Sequence, residues 1–140
     1  MAALTADRGY AVSGLTEILH GKLTESDTYY KGAMVQFDKT TGLVKVAADV
    51  AGEGVVGVLK AGQVVGAGVN PDCEIERGKI WIPHTGAAVT DVDTFVHAAD
   101  DGDILLMAAQ VGDPCGRVLD WKTGFLLIDF RQRLPKLALT

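Results

Sequence analysis

The fold is decided by Gly54-Val55-Val56-Gly57-Val58-Leu59 and its later echo, Cys115-Gly116-Arg117-Val118-Leu119-Asp120. Both are short β-branched runs holding a glycine, and each ends a similar block of about thirty residues. Val55 to Leu59 is apolar on both faces, as a strand at the centre of a sheet should be.

Working outward, the first block opens at the turn cluster Glu25-Ser26-Asp27. Ala33, Val35 and Phe37 alternate with Met34, Gln36 and Asp38, the period of a half-buried strand. Lys39-Thr40-Thr41-Gly42 forms a hairpin loop in which Gly42 is free to take positive φ. Val44 and Val46 flank Lys45 on the return strand. Residues 61–72 hold Gly62, Gly66, Gly68 and Pro71, so a loop or weak edge hairpin is expected. In the next strand, Cys73 and Ile75 are apolar at odd positions but Ile80 and Ile82 at even ones. A glycine bulge at Arg77-Gly78 would restore one inward face. Trp81 then points to the opposite face, either as a contact residue or packed under a loop.

The second block starts near Val89. Thr94 to Ala98 is a strand, Asp100-Asp101-Gly102 a turn, and Ile104 to Met107 its return. Lys122-Thr123-Gly124 turns into Phe125 to Arg131, with Leu126, Ile128 and Phe130 on one face. Val35 corresponds to Val96, 61 residues on, and Val58-Leu59 to Val118-Leu119, 60 residues on. Gly78 to Ile82 corresponds to Gly124 to Ile128. The pattern is strand, turn, strand, turn, valine strand, closing strand, twice over. The expectation is an all-β fold, a small β-barrel or sandwich built from two related β units packed face to face.

The chain has 140 residues and a formal net charge of −5. That length suits one domain, large enough to hold together without disulfide or metal. Its acidity argues against nucleic acid, which needs a concentrated basic surface. The one basic cluster, Arg131, Arg133 and Lys136, reads as a solvated tail. No apolar run reaches the ~20 residues of a membrane span, and no secretory leader is expected from the opening residues. Cys73 and Cys115 lack CxxC spacing and read as buried thiols, with a Cys73–Cys115 disulfide left open.

Residues 1–17 lack a sustained period. They are expected either as an extended arm, leading to a strand near Ile18 to Leu23, or as a disordered terminus. Seventeen extended residues reach about 55–60 Å, far enough to cross a neighbouring molecule. The expected organisation is an arm over residues 1–17, a β body over 18–133 and a tail over 134–140.

Chemistry is sparse in this sequence. His20, His84 and His97 show no metal-ligand spacing. Asp100, Asp101 and Asp103 lack the spacing and distal glutamate of a calcium loop, and a hairpin turn accounts for them. Serine occurs only at Ser13 and Ser26, outside the core blocks, which leaves a serine nucleophile unsupported. No catalytic group, cofactor or metal is expected. A lipoyl-type carrier, with Lys39 at a hairpin tip, is the alternative from a different class. The flanking pattern fits it poorly, and carrier domains are much shorter.

Taken whole, the chain resembles the small capsid-decoration, or structural cement, proteins of tailed bacteriophages. The likeness rests on the opening Met1-Ala2-Ala3-Leu4-Thr5-Ala6-Asp7-Arg8, on Tyr30-Lys31-Gly32-Ala33-Met34-Val35 followed by Gly42-Leu43-Val44, and on Gly116-Arg117-Val118-Leu119-Asp120 with the hydrophobic strand after it. The resemblance implies a β-barrel-like body on the outer face of the capsid that bridges major capsid protein subunits as a homo-oligomer, with a trimer favoured. It requires neither nucleic acid nor membrane as a partner. Candidate contact residues are Ala2, Ala3, Leu4, Thr5, Ala6, Asp7 and Arg8 of the arm, Val64, Val65 and Val69 of the 61–72 loop, and Trp81. The long start, the 61–72 loop and the tail after Arg133 depart from the family pattern. A head–tail adaptor or tail component is the structural alternative.

Overall fold

The computed structural model describes residues 3–106 and 116–132. The chain is nearly all β. Its strands are β1 (Ala11–Lys22), β2 (Asp27–Tyr29), β3 (Met34–Phe37), β4 (Val44–Val46), β5 (Val55–Leu59), β6 (Gln63–Val65), β7 (Asp72–Pro83), β8 (Phe95–Ala98), β9 (Ile104–Leu106), β10 (Gly116–Lys122) and β11 (Phe125–Asp129). Two short 3-10 turns, Val89–Asp91 and Phe130–Gln132, complete the described elements.

β7 is the spine of the sheet. β1 runs antiparallel along one of its edges, from Ala11 opposite Trp81 to Lys22 opposite Asp72. Glu76 and Ile80 of β7 both face β1, yet they also pair with Val58 of β5 and Ile128 of β11. A strand has only two hydrogen-bonding edges, so β5 and β11 share the other one. The order β4-β3-β5-β7-β11-β10-β8-β9 follows. It reads alike outward from the β7–β11 pair in both directions: closing strand, valine strand, then a hairpin. β2 and β6 form a separate two-stranded sheet.

The sheet curls into a half-barrel and buries side chains on both faces. Met34, Val58, Ile80, Ile82, Val96, Val118, Leu126, Ile128 and Phe130 share one cluster. Leu23, Tyr29, Val35, Val44, Leu59, Cys73 and Ile75 belong to the other. Met34 and Val35 are adjacent in β3, as Val58 and Leu59 are in β5, and each pair divides between the clusters. Alternation of successive side chains therefore supplies both cores. β5, expected to be central, is buried at all five positions and lies between β3 and β7.

Several expectations change. β3 is not half-buried: Met34, Val35 and Gln36 have no exposed surface, because both faces are covered. The parity flip in β7 is real, but it marks no bulge there. Cys73 and Ile75 serve one core, and Ile80 and Ile82 the other. The irregularity lies in β1, where Ser13 faces Lys79 and Glu17 faces Arg77, so β1 uses two more residues than β7 over that interval. Gly78 provides room for this bulge, since a Cβ there would sit 2.8 Å from the Thr16 methyl. The two halves are joined through β7 and β11 as one curled sheet, the barrel-like form of the expected fold. Strand structure also begins at Ala11, inside the expected arm. The hairpin after Asp38 matches expectation, with Gly42 at φ 74°.

Candidate functional site: partner-contact surfaces

The N-terminal candidates run as a strap across the chain's own body. The Leu4 amide donates to Asp101 Oδ1 at 2.9 Å, and the Leu4 side chain packs against the second core. The Arg8 guanidinium donates to the Gly102 carbonyl at 2.7 Å, while its amide donates to the Lys31 carbonyl at 2.8 Å. Asp7 Oδ1 accepts the Lys31 amide at 2.9 Å. Two body glycines are shaped for this path. A Cβ on Gly32 would collide with the Arg8 carbonyl, and one on Gly62 would lie 2.7 Å from Asp7 Oδ1. Ala3, Thr5, Ala6 and Asp7 are exposed along the strap, whereas Leu4 and Arg8 turn inward. Ala2 lies outside the described residues.

The 61–72 segment contains β6, which pairs with β2 through Val64 opposite Thr28. Strand alternation separates its valines. Val64 is 80% exposed and Val69 50%, but Val65 is a core residue at 4%. Val65 therefore drops out of the contact set, since period-2 geometry turns it inward beside Tyr29 and Leu23.

Trp81 is half-buried on the face of β7 opposite Ile80 and Ile82. Its neighbour across the sheet is Leu127, and the Lys122 ammonium lies 4.6 Å from its ring centroid. The same ammonium lies 5.0 Å from the Phe125 ring. Trp121 is also exposed, but it is opposite inward-facing Leu126 and so faces the other side of the β10–β11 hairpin.

Sequence reasoning missed the apolar residues of β1. Leu15 is 91% exposed, and Val12 and Ile18 also reach the surface. A bulge displays Leu15, and Glu76 braces it. Glu76 accepts Thr16 Oγ1 and Tyr10 Oη, each at 2.6 Å. These two hydroxyl donors, Thr16 first, hold the Glu76 carboxyl below the usual carboxylate range. In return, burial and then the Glu76 bond push the Tyr10 hydroxyl up. A tyrosine and a threonine far from Glu76 in the chain carry no local sign of this contact.

Several other polar groups tie segments of the body together. Glu53 Oε1 accepts Gln36 Nε2 and Lys45 Nζ, both at 2.7 Å, and its Oε2 accepts the Lys39 amide at 3.1 Å. Burial pushes the Glu53 carboxyl up, but these donors together hold it below its ordinary value. Lys39 Nζ donates to the Ala51 carbonyl at 2.5 Å, so the hairpin lysine is tied back to the body. His84 Nδ1 lies 3.1 Å from Asp103, His97 is buried near Asp49, and His20 lines a shallow pocket of about 390 Å3 with Cys73 and Glu74. No metal-ligand cluster occurs among the described residues. Cys73 is a buried free thiol, raised by burial, and its suggested partner Cys115 lies outside the described residues. Arg133 and Lys136 lie outside them too.

Comparison with protein-family models, with curated proteins and with solved structures yields no match.

Proposed function

We infer that this chain is a non-enzymatic structural protein of a tailed-phage virion that binds the outside of the capsid and bridges major capsid protein subunits. The observation that carries the reading is how the body displays its surface apolar groups. Leu15, with Val12 and Ile18 beside it, stands on a braced bulge, and Val64 projects from a paired strand. Rigid, exposed anchors are what an adhesive surface requires. The sequence resemblance supplies the kind of neighbour. The outward strap residues Ala3, Thr5, Ala6 and Asp7, the valines Val64 and Val69, and Trp81 complete the proposed contact set. A homo-oligomer, with a trimer favoured, belongs to the same reading.

Electron microscopy of heads assembled with and without the protein tests this. Added density distributed over the outer shell, with heads that survive higher temperature, is the expected result. Density confined to one ring at the portal would make the chain an adaptor, and no density on the head would overturn the reading.

A further inference from the structure

We propose that the outer face of β7 around Trp81 docks an acidic, partly apolar segment of a partner protein. This rests on the decoration reading, in which the partner is the capsid subunit, and it assigns that contact a place and a chemistry. Lys79 and Trp81 are two residues apart on β7 and so share a face. Trp81 is opposite Leu127, and Phe125, two residues from Leu127, is opposite Lys122. All five side chains therefore lie on one side of the sheet.

The other cations of this region are committed. Arg77 pairs with Glu17 at 3.6 Å, Arg117 with Asp93 at 2.6 Å and Arg131 with Asp129 at 3.1 Å. Lys79 and Lys122 have no carboxylate partner among the described residues. Lys122 lies instead over two aromatic faces, and its N–H donors have no hydrogen-bond acceptor among the described residues. The result is an aromatic platform flanked by two uncommitted ammonium groups. Two carboxylates share this face: Asp129, opposite Lys79, is buried and held by Arg131, and Asp120, opposite Leu127, is exposed, whereas Asp7, Asp27, Asp100 and Asp101 gather around the strap. In a chain of net charge −5, the two ammonium groups beside the indole attract carboxylates of a partner while its apolar side chains cover the ring.

Two measurements test the proposal. In the first, the intact protein is sedimented with heads lacking it. Lys79→Glu combined with Lys122→Glu should weaken binding at least tenfold, while Lys60→Glu, a charge reversal on a different strand connection, should change it less than twofold. Wild-type binding that the double variant retains, or that Lys60→Glu loses equally, overturns the proposal. If the wild type does not bind heads, the decoration reading falls, and the second measurement still decides the patch. A capped synthetic peptide of alternating glutamate and leucine is titrated into the labelled protein, and amide shifts are followed by NMR. Shifts clustered at residues 79–83 and 121–127, absent in the double variant, are expected. Shifts elsewhere, or none at all, overturn it.

Discussion

Gly57 and Gly116 occupy matching places in the two halves of the sheet. Gly57 is opposite Val35 and lies against the Ile75–Glu76 backbone and side chain; Gly116 is opposite Val96 and lies against Ile128 and Asp129. Each lets a valine strand press onto its closing strand. The match also moves one correspondence drawn from the sequence. By this contact Ile75 answers to Ile128, where the sequence pattern paired Ile82 with it.

A methyl group at either glycine has nowhere to go. The Cβ of Gly57→Ala would collide with the Glu76 carbonyl, and that of Gly116→Ala would lie 2.6 Å from the Ile128 methyl. Overpacking of this kind costs about 1–3 kcal/mol. Urea denaturation should show that loss for both variants. Gly66→Ala, which has no atom within 4 Å, is the comparison; equal stability of all three would contradict the packing described.

The strap should lift without unfolding the body. Gly32→Ala drives a Cβ into the Arg8 carbonyl at a residue with φ 80°. Arg8→Ala removes the donor to Gly102. Each should cost about 1–2 kcal/mol and speed hydrogen exchange at the Arg8 amide, with the exchange of β5 and β7 amides unchanged. Slow exchange at Arg8 in both variants would mean that the strap is held by something else.

Glu76 gives a pH signature. Its carboxyl is depressed in the folded protein, so its contribution is present above the unfolded carboxylate range and is lost as pH falls through the folded value. Glu76→Gln should be less stable than wild type at pH 7 by about 1–2 kcal/mol. The gap in melting temperature should narrow steadily on acidification. A gap that stays constant from neutral pH to pH 3 would remove the carboxylate from the brace.

Glu53 is the larger lesion. Removing it strands the buried Gln36 amide and the Lys39 backbone amide and leaves Lys45 only its longer contact with Asp38, at 3.4 Å. Glu53→Ala should cost about 3 kcal/mol, as losing one partner of a buried charged pair does. Gln36→Leu strands the Ala48 amide, which Gln36 Oε1 accepts at 3.1 Å, so it should cost stability by itself, and the double variant should lose less than the sum of the two single losses. Strictly additive losses would show that the Gln36 bond is not part of the network's energy.

The fold was legible where its signal was local. Val55 to Leu59 announced a doubly buried strand, Gly42 a hairpin, and Leu126, Ile128 and Phe130 one inward face. The odd-to-even switch between Ile75 and Ile80 was visible as well, but its meaning was not. A switch of parity looks the same whether a strand bulges or serves two cores, and only the positions of β5, β11 and β1 around β7 separate these cases. The site was less readable. Val65 resembles Val64 until β2 shows which side is inward. Leu15 lacks any mark of exposure until the bulge over Gly78 is placed.

Composition and short-range periodicity thus determined the all-β class, the turns and the valine strands, because those depend on neighbours within a few residues. Which edge of β7 each strand takes, where the strap lies and which lysines stay uncommitted were decided by tertiary structure alone. Pairings such as Tyr10 with Glu76 or Arg8 with Gly102 join residues far apart in sequence. Such contacts form through chain closure and packing, and no local pattern encodes them.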